Sequence, residues 1–430
     1  MAQAFRIAVA GLGTVGAGTL TLVRENADVL ERRSGRRIEV VAVSARNRHR
    51  DRGVDLSGFA WFDDPVRMAR EAPADCVVEL IGGADGPAKA TVEAAIAAGR
   101  AVVTANKALL AHHGAALARA AEAKGVALAF EASVAGGIPI VKALSEGLAA
   151  NRITRVYGIL NGTCNYILTT MRKTGRAFAD VLAEAQKLGY AEADPSFDID
   201  GVDAAHKLAM LTALAFGCEP DFGAIHVEGI RHVTPLDIEY AAELGYRIKL
   251  LGHARVTEHG VEQRVHPCMV PLDSPIAHVE GVLNAVVAAG NFVGDTVFEG
   301  RGAGAGPTAS AVAADLVDIA RGRKGPAFAV PAAELKRMPA APMERHRGEY
   351  YVRLTVVDRP GVIADVAAAL RDERISMAAM IQRGKSPDNV VPVVLMTHET
   401  EEAAMARAAA RIGALDSSVQ PPRMIRIEAL

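Results

Sequence analysis

The sequence has few cysteines and no marked excess of charge of either sign. Its 430 residues include four cysteines, Cys76, Cys164, Cys218 and Cys268, which lie far apart and without metal-ligand spacing. Four such residues in so long a chain do not build a disulfide framework, so we expect reduced packing residues. The formal net charge of -2 gives no electrostatic bias toward nucleic acid or a membrane surface. These absences favour a small-molecule partner.

Long apolar runs are missing as well. No stretch reaches the roughly 18 uninterrupted apolar residues that a membrane span requires. The opening MAQAFRIAVAGLG lacks the basic segment, apolar run and cleavage site of a secretion signal. We therefore expect a cytoplasmic protein without a membrane partner. Half of the residues are hydrophobic, and the chain is too long for one ordinary core, so two or three domains are expected.

A glycine-rich turn near the start predicts a dinucleotide site. In FRIAVAGLGTVGAGTLTLVREN, a short apolar strand precedes Gly11, Gly13 and Gly16 in GxGxxG spacing, and helical periodicity follows. The three glycines permit a tight turn, close approach to a pyrophosphate and close packing of helix on strand. Such turns are common, but the second strand IEVVAVSARN follows at the spacing of a βαβ unit. That context favours a cofactor cradle.

The end of the second strand bears on which cofactor is bound. NAD-preferring sites usually carry an acidic residue there, which accepts a hydrogen bond from the adenine ribose. This sequence instead reads Ser44, Ala45, Arg46, Asn47 and Arg48. Arg46 favours the 2'-phosphate of NADP(H), with NAD(H) as the alternative cofactor. The competing interpretation is an ordinary exposed arginine.

Strand and helix signals continue to alternate as far as VALAFEASV, at residues 126–134. Alternation of this kind predicts a doubly wound parallel sheet of the Rossmann type. Ligands lie outside the carboxyl ends of such strands, where LIGG, TANK and EASVAGG fall. We expect Lys107 on a loop beside the nicotinamide, although a solvated lysine would give the same local sequence.

An acidic stretch from residue 190 to residue 211 surrounds one lysine. YAEADPSFDIDGVDAAHKLAML is not a calcium loop, because Lys207 falls where an EF-hand requires a bidentate glutamate. The periodicity of GVDAAHKLAMLTALAFG predicts a helix that places Asp203 and Lys207 on one face. Glu192 and Asp198 would arrive from the preceding loop. The alternatives are a polar surface loop and ordinary helix decoration.

The C-terminal part predicts a separate small domain. Residues 326–348 are rich in proline and alternating charge, which suggests an extended linker. Beyond them the predicted order is βαββαβ, ending with the strand PRMIRIEAL, which is typical of an open-faced ferredoxin-like sandwich.

Taken in order, several motifs resemble homoserine dehydrogenase over most of residues 5–325. They are GLGTVG, TANKALLA, EASVAGGIPI, ILNGTCNYIL, LGYAEADPSFDIDGVDAAHKLAML and GRGAGAGPTASAVAADL. Cys164 and Asp200 depart from the usual threonine and glutamate, and neither carries a transferred role. The C-terminal domain resembles an ACT domain, with Asp358, Pro360 and Gly361 at its first strand-to-helix turn.

The resemblance implies reversible reduction of L-aspartate 4-semialdehyde to L-homoserine, in threonine, methionine and isoleucine biosynthesis. Lys207 would give a proton to the nascent alkoxide, and Lys107 would be a second lysine near the reacting oxygen; which of them transfers the proton stays open. Substrate-binding roles fall to Glu192, Asp203 and Asp198, and Glu192 and Asp203 would also hold Lys207. The expected cofactor-binding residues are Gly11, Gly13, Thr14, Val15, Gly16, Arg46, Thr104, Lys107, Gly189, Glu192 and Gly304.

The same resemblance implies a monovalent cation site, for sodium or potassium, formed by Glu131, Val134, Gly136 and Ile138. Only Glu131 offers a side-chain ligand, so the other three would act through backbone carbonyls. The segment GRGAGAGPTAS and the helix after it would return to the cofactor domain, with a flexible connection as the alternative for the glycines.

The expected domains are a Rossmann-type NADP(H)-binding domain (1–134), an α+β substrate-binding, catalytic and dimerisation domain with a return helix (135–325), a linker (326–348) and an ACT regulatory domain (349–430). The ACT domain would bind L-threonine for feedback control or serve only in dimerisation, and a homodimer or homotetramer is expected.

Two rival functions differ in chemistry. An aldehyde dehydrogenase would need a positioned cysteine, which is not recognisable here, and a nonenzymatic amino-acid sensor would turn over no substrate.

Overall fold

The computed structural model describes residues 3–383 and 390–428. Its first part contains one six-stranded parallel sheet with the strand order β3-β2-β1-β4-β5-β6. This order is that of a doubly wound dinucleotide-binding fold, which confirms the predicted fold class. The elements are β1 (Phe5–Ala10), α1 (Thr14–Glu25), α2 (Ala27–Ser34), β2 (Ile38–Ser44), β3 (Ala60–Phe62), α3 (Pro65–Glu71), β4 (Cys76–Glu79), α4 (Pro87–Ala97), β5 (Ala101–Thr104), α5 (Lys107–Ala123) and β6 (Leu128–Ala129).

Two local features of this sheet differ from expectation. Lys107 is the first residue of α5 rather than a loop residue, because the side chain of Asn106 caps the helix by accepting the N–H of Leu109 at 3.1 Å. The last predicted strand keeps only the two residues of β6, and a single 3₁₀ turn, Glu131–Ser133, follows. The chain therefore turns toward the middle domain earlier than the apolar pattern indicates.

The middle domain joins an antiparallel sheet to several helices. After residue 139 the chain forms a short α-helix, which a π-helical turn at Ala143–Gly147 follows. The elements are α6 (Ile140–Lys142), β7 (Ile153–Ile159), α7 (Gly162–Thr174), α8 (Phe178–Lys187), α9 (Ser196–Ile199), α10 (Val202–Phe216), β8 (His226–Val227), α11 (Pro235–Glu243), β9 (Tyr246–Thr257), β10 (Gly260–Pro271), β11 (Leu283–Gly290), β12 (Gly294–Arg301) and α12 (Ala305–Ala320).

The helix α10 is buried along most of its length, from Asp203 to Leu214. Glycines with positive φ, Gly201 and Gly217, bound it at the two ends, a conformation in which glycine carries no Cβ penalty. A buried helix can hold charged groups only where they are paired. The sequence of α10 therefore places Asp203 and Lys207 in a setting where each needs a partner.

The return segment packs against the cofactor domain, as predicted. Helix α12 lies along α1, and a side chain at Gly18 would come within 3.0 Å of the carbonyl oxygen of Ala305. Val312 and Leu316 share a core with Phe5 and Ile7 of β1. The two domains are thus joined by buried apolar surface rather than by a flexible connection.

The C-terminal domain has the predicted ferredoxin-like arrangement, with strand order β17-β13-β15-β14. Parts of three predicted strands, at residue 384, at residue 389 and at residues 429–430, lie outside the described residues. The elements are β13 (Arg347–Val357), α13 (Val362–Asp372), β14 (Met377–Gln382), β15 (Val390–Thr397), β16 (Thr400–Glu401), α14 (Glu402–Gly413) and β17 (Ser418–Ile427).

The C-terminal and middle sheets form one continuous sheet. Strand β17 pairs in parallel with β10, at Cys268 with Arg426 and at Met269 with Ile427. Over the part of the chain that the structure describes, this single sheet contains eleven strands. A buried ion pair also crosses the junction, since Arg353 Nε of β13 donates to Asp237 Oδ1 of α11 at 2.7 Å. The small domain is therefore built into the body of the molecule.

The segment at 326–348 is anchored rather than free. Phe328 is 1% exposed, and its ring lies 5.0 Å from that of Phe130. A side chain at Gly114 would come within 2.9 Å of the Phe328 ring, so α5 is fitted closely around it. Ala332 and Leu335 are buried too. The proline and charge that predicted an extended linker describe only its exposed positions.

None of the described helices has the length and the apolar run that crossing a membrane requires.

We predict that Phe328→Ala destabilises the fold by about 3–5 kcal/mol, because it leaves a cavity beneath α5. The measurement is urea unfolding followed by circular dichroism. Phe292→Ala is the matched control, since Phe292 is 89% exposed, and its unfolding midpoint should stay near that of the unaltered protein. Equal midpoints for the two variants would show that the segment does not stabilise the domain.

Candidate active site

A cavity of about 540 Å³ lies between the cofactor domain and the middle domain. The cofactor domain contributes Val15, Ala105 and Lys107, and the middle domain contributes residues from α7, α9, α10 and the β11–β12 region. Its polar and charged lining residues are Lys107, Ser133, Asn161, Thr163, Tyr190, Asp198, Asp203, Lys207, Asn284, Arg301 and Thr308. Anionic and cationic groups therefore face the same enclosed space.

The three glycines of the glycine-rich turn differ in the space that surrounds them. Gly11 has φ of +97°, and a side chain there would come within 2.5 Å of the backbone of Leu80. A side chain at Gly16 would overlap the carbonyl oxygen of Gly11, whereas one at Gly13 would meet no atom within 4 Å. The open space at Gly13, beside the first turn of α1, is where a pyrophosphate would approach the helix N-terminus. Thr14 is exposed in that turn, and Val15 lines the cavity.

The carboxylate of Asp203 bridges two lysines. Lys207 Nζ donates to Asp203 Oδ2 at 2.7 Å, and Lys107 Nζ lies 3.1 Å from Asp203 Oδ1. Lys207 also donates to the carbonyl oxygen of Leu160 at 2.7 Å. The side chain of Lys207 is 9% exposed and that of Lys107 is 31% exposed. One buried anion thus holds one buried and one more accessible ammonium group.

The electrostatics of this cluster follow from burial and pairing. Burial alone would raise the pKa of Asp203, but the attraction of Lys207 and then of Lys107 outweighs it and holds that pKa well below its usual range. The pKa of Asp198 is instead raised, by burial and by the neighbouring charge of Asp203. Asp203 is therefore a permanent anion, and Asp198 is a carboxylate that a cationic ligand would stabilise.

Asn161 organises the cluster, and the sequence-based reasoning did not assign it a role. Its Nδ2 donates to Asp198 Oδ1 at 2.8 Å and to Asp203 Oδ2 at 2.9 Å. Its Oδ1 accepts the N–H of Cys164 and so caps α7. The signal was an asparagine directly before a helix, in ILNGTCNYIL, which is typical of an N-cap. The N-cap pattern does not reveal that the Nδ2 of the same amide donates to Asp198 and Asp203.

The predicted substrate residues separate into two groups. Asp203, Asp198 and Lys207 lie together, and Lys107 joins them from the cofactor domain. Glu192 is exposed, and the hydrogen bond of this residue is at its backbone, where Gln186 Nε2 donates to its carbonyl oxygen at 2.9 Å. In the described structure Glu192 therefore does not hold Lys207, contrary to expectation. Leu160 and Asp203 hold it instead.

Of the other predicted cofactor residues, two line the cavity and two do not. Gly189 and Gly304 line it, each with positive φ. Arg46 is exposed just beyond β2, away from the cavity lining. Thr104 is buried, and its hydroxyl donates to Glu79 Oε2 at 2.6 Å and accepts the N–H of Asn106 at 3.0 Å. The Thr104 side chain thus shapes the turn before Lys107.

The predicted cation residues lie at the junction of the two domains. Both carboxylate oxygens of Glu131 accept backbone N–H groups, from Val141 and Lys142, at 2.9 Å. Burial and the neighbouring Asp315 raise the pKa of Glu131 to about 7. Among the described residues, no hydrogen-bond donor is paired with the carbonyls of Val134 and Gly136, whereas that of Ile138 accepts the N–H of Ile140 at 2.8 Å.

A further polar wall of the cavity was not foreseen. Gly162 and Thr163, the first two residues of α7, both line it. Next to them stands Asn284, which is 1% exposed, and its Nδ2 has no hydrogen-bond partner within the described part of the chain. A helix N-terminus beside a buried unpaired amide can accept a carboxylate.

Comparison with known proteins agrees over the whole chain. Family models described as "Homoserine dehydrogenase, NAD binding domain", "Homoserine dehydrogenase" and "ACT domain" match residues 11–131, 139–317 and 350–416. The homoserine dehydrogenases of Neisseria gonorrhoeae and Pseudomonas aeruginosa are each 47% identical to this chain; the alignments cover 99% of it and 98% and 99% of those proteins.

The crystal structure of a homoserine dehydrogenase from Thiobacillus denitrificans is 49% identical, with a TM-score of 0.93, covering 99% of this chain and 98% of that one. All three matched segments, the shared length and the shared structure point the same way. This chain belongs to the homoserine dehydrogenase family, and is an NAD(P)-dependent oxidoreductase with a C-terminal ACT domain.

Proposed function

We propose that the cavity interconverts L-aspartate 4-semialdehyde and L-homoserine, with Lys207 as the proton donor to the substrate oxygen. The observation that carries this proposal is the pair of ammonium groups held by the single carboxylate of Asp203 at the floor of the cavity. In the cell the enzyme would act in the cytoplasm, in the biosynthesis of threonine, methionine and isoleucine.

The hydrogen bonds of Lys207 support its role. A protonated lysine has three N–H donors, and two of them go to Asp203 Oδ2 and to the carbonyl of Leu160. The third is left for a ligand in the cavity. A bound nicotinamide would supply or accept the hydride. As the substrate oxygen gains negative charge, the ammonium of Lys207 stabilises it and delivers the proton.

Lys107 acts as the second charge at the reacting oxygen. It enters from the cofactor domain, at the first residue of α5, and it reaches the same carboxylate as Lys207. Because its side chain is the more exposed of the two, it is the lysine that bound ligand would cover. We assign Lys107 electrostatic stabilisation and Lys207 the proton transfer.

The amino-acid end of the substrate fits the remaining polar wall. Asp198 is the carboxylate of the cluster whose charge is least compensated, so it would bind the substrate ammonium. The N-terminus of α7 at Gly162 and Thr163, with the unpaired amide of Asn284, would receive the substrate carboxylate. Glu192 stays a predicted substrate and cofactor ligand that would have to move inward.

The NADP(H) preference is supported by the charge at the end of β2. Arg46 is exposed there, and Ser44 occupies the last strand position where an acidic residue would favour NAD(H). The specificity ratio of the two cofactors, measured for the protein and for Arg46→Ala, tests this; an unchanged ratio would remove Arg46 from cofactor selection.

A sodium or potassium ion fits the oxygen donors at the domain junction. Glu131 and the carbonyls of Val134, Gly136 and Ile138 would hold it, since such hard cations prefer oxygen ligands. Those of Val134 and Gly136 have no other partner within the described residues. The ion would fix the geometry of the turn between the domains. Activity measured against sodium and potassium concentration tests the role, and independence of both ions would exclude it.

We predict that Lys207→Ala lowers kcat about 100- to 10,000-fold, which is the usual contribution of a positioned proton donor. The Kd of NADP(H) should change less than twofold, because Lys207 lies on the substrate side of the cavity. Steady-state oxidation of homoserine, followed at the nicotinamide absorbance, gives kcat, and fluorescence titration gives Kd. Asp194→Asn is the control in the same acidic stretch, since Asp194 is exposed. A kcat within threefold of the unaltered enzyme would contradict the assignment.

The ACT domain makes L-threonine the natural effector, acting at the turn between β13 and α13, in a homodimer or homotetramer. Gly361 has φ of +95° at that turn, and Asp358 Oδ1 accepts a hydrogen bond from Gln382 Nε2 at 3.3 Å. We predict that L-threonine inhibits the intact enzyme and that Asp358→Asn weakens this inhibition without changing the uninhibited kcat. Truncation is unsuitable, because β17 pairs with β10. Insensitivity of the intact enzyme to threonine would leave the domain with an oligomerisation role alone.

A further inference from the structure

A buried arginine of the ACT domain holds a carboxylate of the catalytic domain. Arg426 on β17 is 2% exposed. Its Nη2 donates to Glu228 Oε1 at 2.9 Å, and its Nε donates to Glu402 Oε2 at 2.9 Å. Glu402 opens α14 within the ACT domain, whereas Glu228 follows β8 in the catalytic domain. One guanidinium thus joins the two domains through two carboxylates.

Glu228 belongs to a short segment, residues 226–231, that is fastened at both sides. The N–H of Glu228 donates to the carbonyl of Val265 on β10 at 2.7 Å, which fixes the segment to the sheet. The N–H of Ile230 donates to the carbonyl of Ile199 at 2.9 Å, which fixes the segment to α9. A side chain at Gly229 would overlap that same carbonyl, so the two backbones are in direct contact.

Arg231 adds side-chain bonds to the same short helix. Its Nη2 donates to Asp200 Oδ2 at 3.0 Å and to Ser196 Oγ at 2.9 Å. The 226–231 segment therefore holds α9 at its first residue, at its last residue and just beyond. A displacement of the segment cannot leave α9 in place.

Helix α9 carries a residue of the active-site cluster. Asp198 Oδ1 accepts a hydrogen bond from Asn161 Nδ2 at 2.8 Å, and the same nitrogen donates to Asp203 Oδ2 at 2.9 Å. Asp203 in turn holds Lys207 at 2.7 Å. An unbroken series of hydrogen bonds and backbone contacts therefore leads from Arg426 to Lys207.

We infer that Glu228 is a positioning residue for homoserine dehydrogenation, acting through the 226–231 segment and α9 on Asp198 and the lysine pair. The inference rests on the proposed role of the lysine pair. It makes the Arg426–Glu228 ion pair one point at which the ACT domain acts on the lysine pair. A shift of β17 would move Glu228 and with it Asp198, whose carboxylate accepts from the same Asn161 Nδ2 that donates to Asp203.

Glu402 provides a matched control, because it pairs with the same guanidinium but lies in the ACT domain and, among the described residues, has no hydrogen bond or ion pair to the 226–231 segment. Glu228→Gln and Glu402→Gln each remove one negative charge beside Arg426. Both variants should lower the thermal unfolding midpoint. Only Glu228→Gln should lower kcat, by about tenfold, while the Kd of NADP(H) stays within twofold; Glu228→Asp should restore part of the activity.

Arg231→Gln tests the same inference if Glu228→Gln does not fold. The Arg231–Asp200 pair is exposed, with both side chains more than 40% accessible, so its loss should cost little stability. The substitution removes the side-chain bonds from this segment to α9, while the backbone bond from Ile230 to Ile199 remains, and it should lower kcat at least threefold. Near-UV circular dichroism of every variant shows whether the fold is kept.

Two results would overturn the inference: a kcat of folded Glu228→Gln within twofold of the unaltered enzyme, or an equal loss of kcat in Glu402→Gln. If Glu228→Gln does not fold, an unchanged kcat in Arg231→Gln would overturn the inference instead. Failure of the proposed catalytic role is distinguishable, because it would appear as an unchanged kcat in Lys207→Ala, whatever the Glu228 variants do.

Discussion

The structure of the proposed active site depends on one buried carboxylate that two lysines share. Asp203 is 5% exposed, and its ionised form persists there only because Lys207 and Lys107 compensate it. Each lysine comes from a different domain, so the bridge also links the cofactor domain to the catalytic domain. Asn161 donates a further hydrogen bond to Asp203, and the carbonyl of Leu160 accepts a second hydrogen bond from Lys207. A preorganised pair of positive charges is what a reaction at a carbonyl oxygen requires.

Each part of the fold around this bridge contributes a different part of the site. The parallel sheet presents the glycine turn and Lys107 at the carboxyl ends of its strands, and the return helix α12 fastens that sheet to the catalytic domain through buried apolar residues. The middle domain supplies the facing wall of the cavity, from α7, α9, α10 and the β11–β12 region. Because β17 adds directly to β10, the ACT domain extends the catalytic sheet instead of hanging from a linker. Its buried arginines, Arg353 and Arg426, therefore reach carboxylates of the catalytic domain.

Most of the fold could be predicted because its signals are local. The GxGxxG turn, the alternation of strands and helices and the βαββαβ order are confirmed by the strand orders of the two sheets. The helix that pairs Asp203 with Lys207 follows from spacing alone, since residues four apart share a helix face. Predictions were wrong where the direction of a side chain depends on how its element packs, whatever the separation in sequence. Glu192 is near Lys207 in the chain but is exposed, and Thr104 forms its bonds to Glu79 and Asn106 rather than facing the cavity.

The sequence by itself determined the family, the doubly wound sheet, the ferredoxin-like end domain and the helical pairing of Asp203 with Lys207, because each of these is encoded in motifs or in short-range periodicity. Only the tertiary structure decided that Lys107 reaches the same carboxylate, that Asn161 joins Asp198 to Asp203, and that Phe328 and Arg426 bind supposedly separate parts together. Those contacts join residues tens to hundreds of positions apart, and their partners depend on how whole elements pack. Burial of the charges of Asp203 and Arg426 then makes the pairing of each one obligatory.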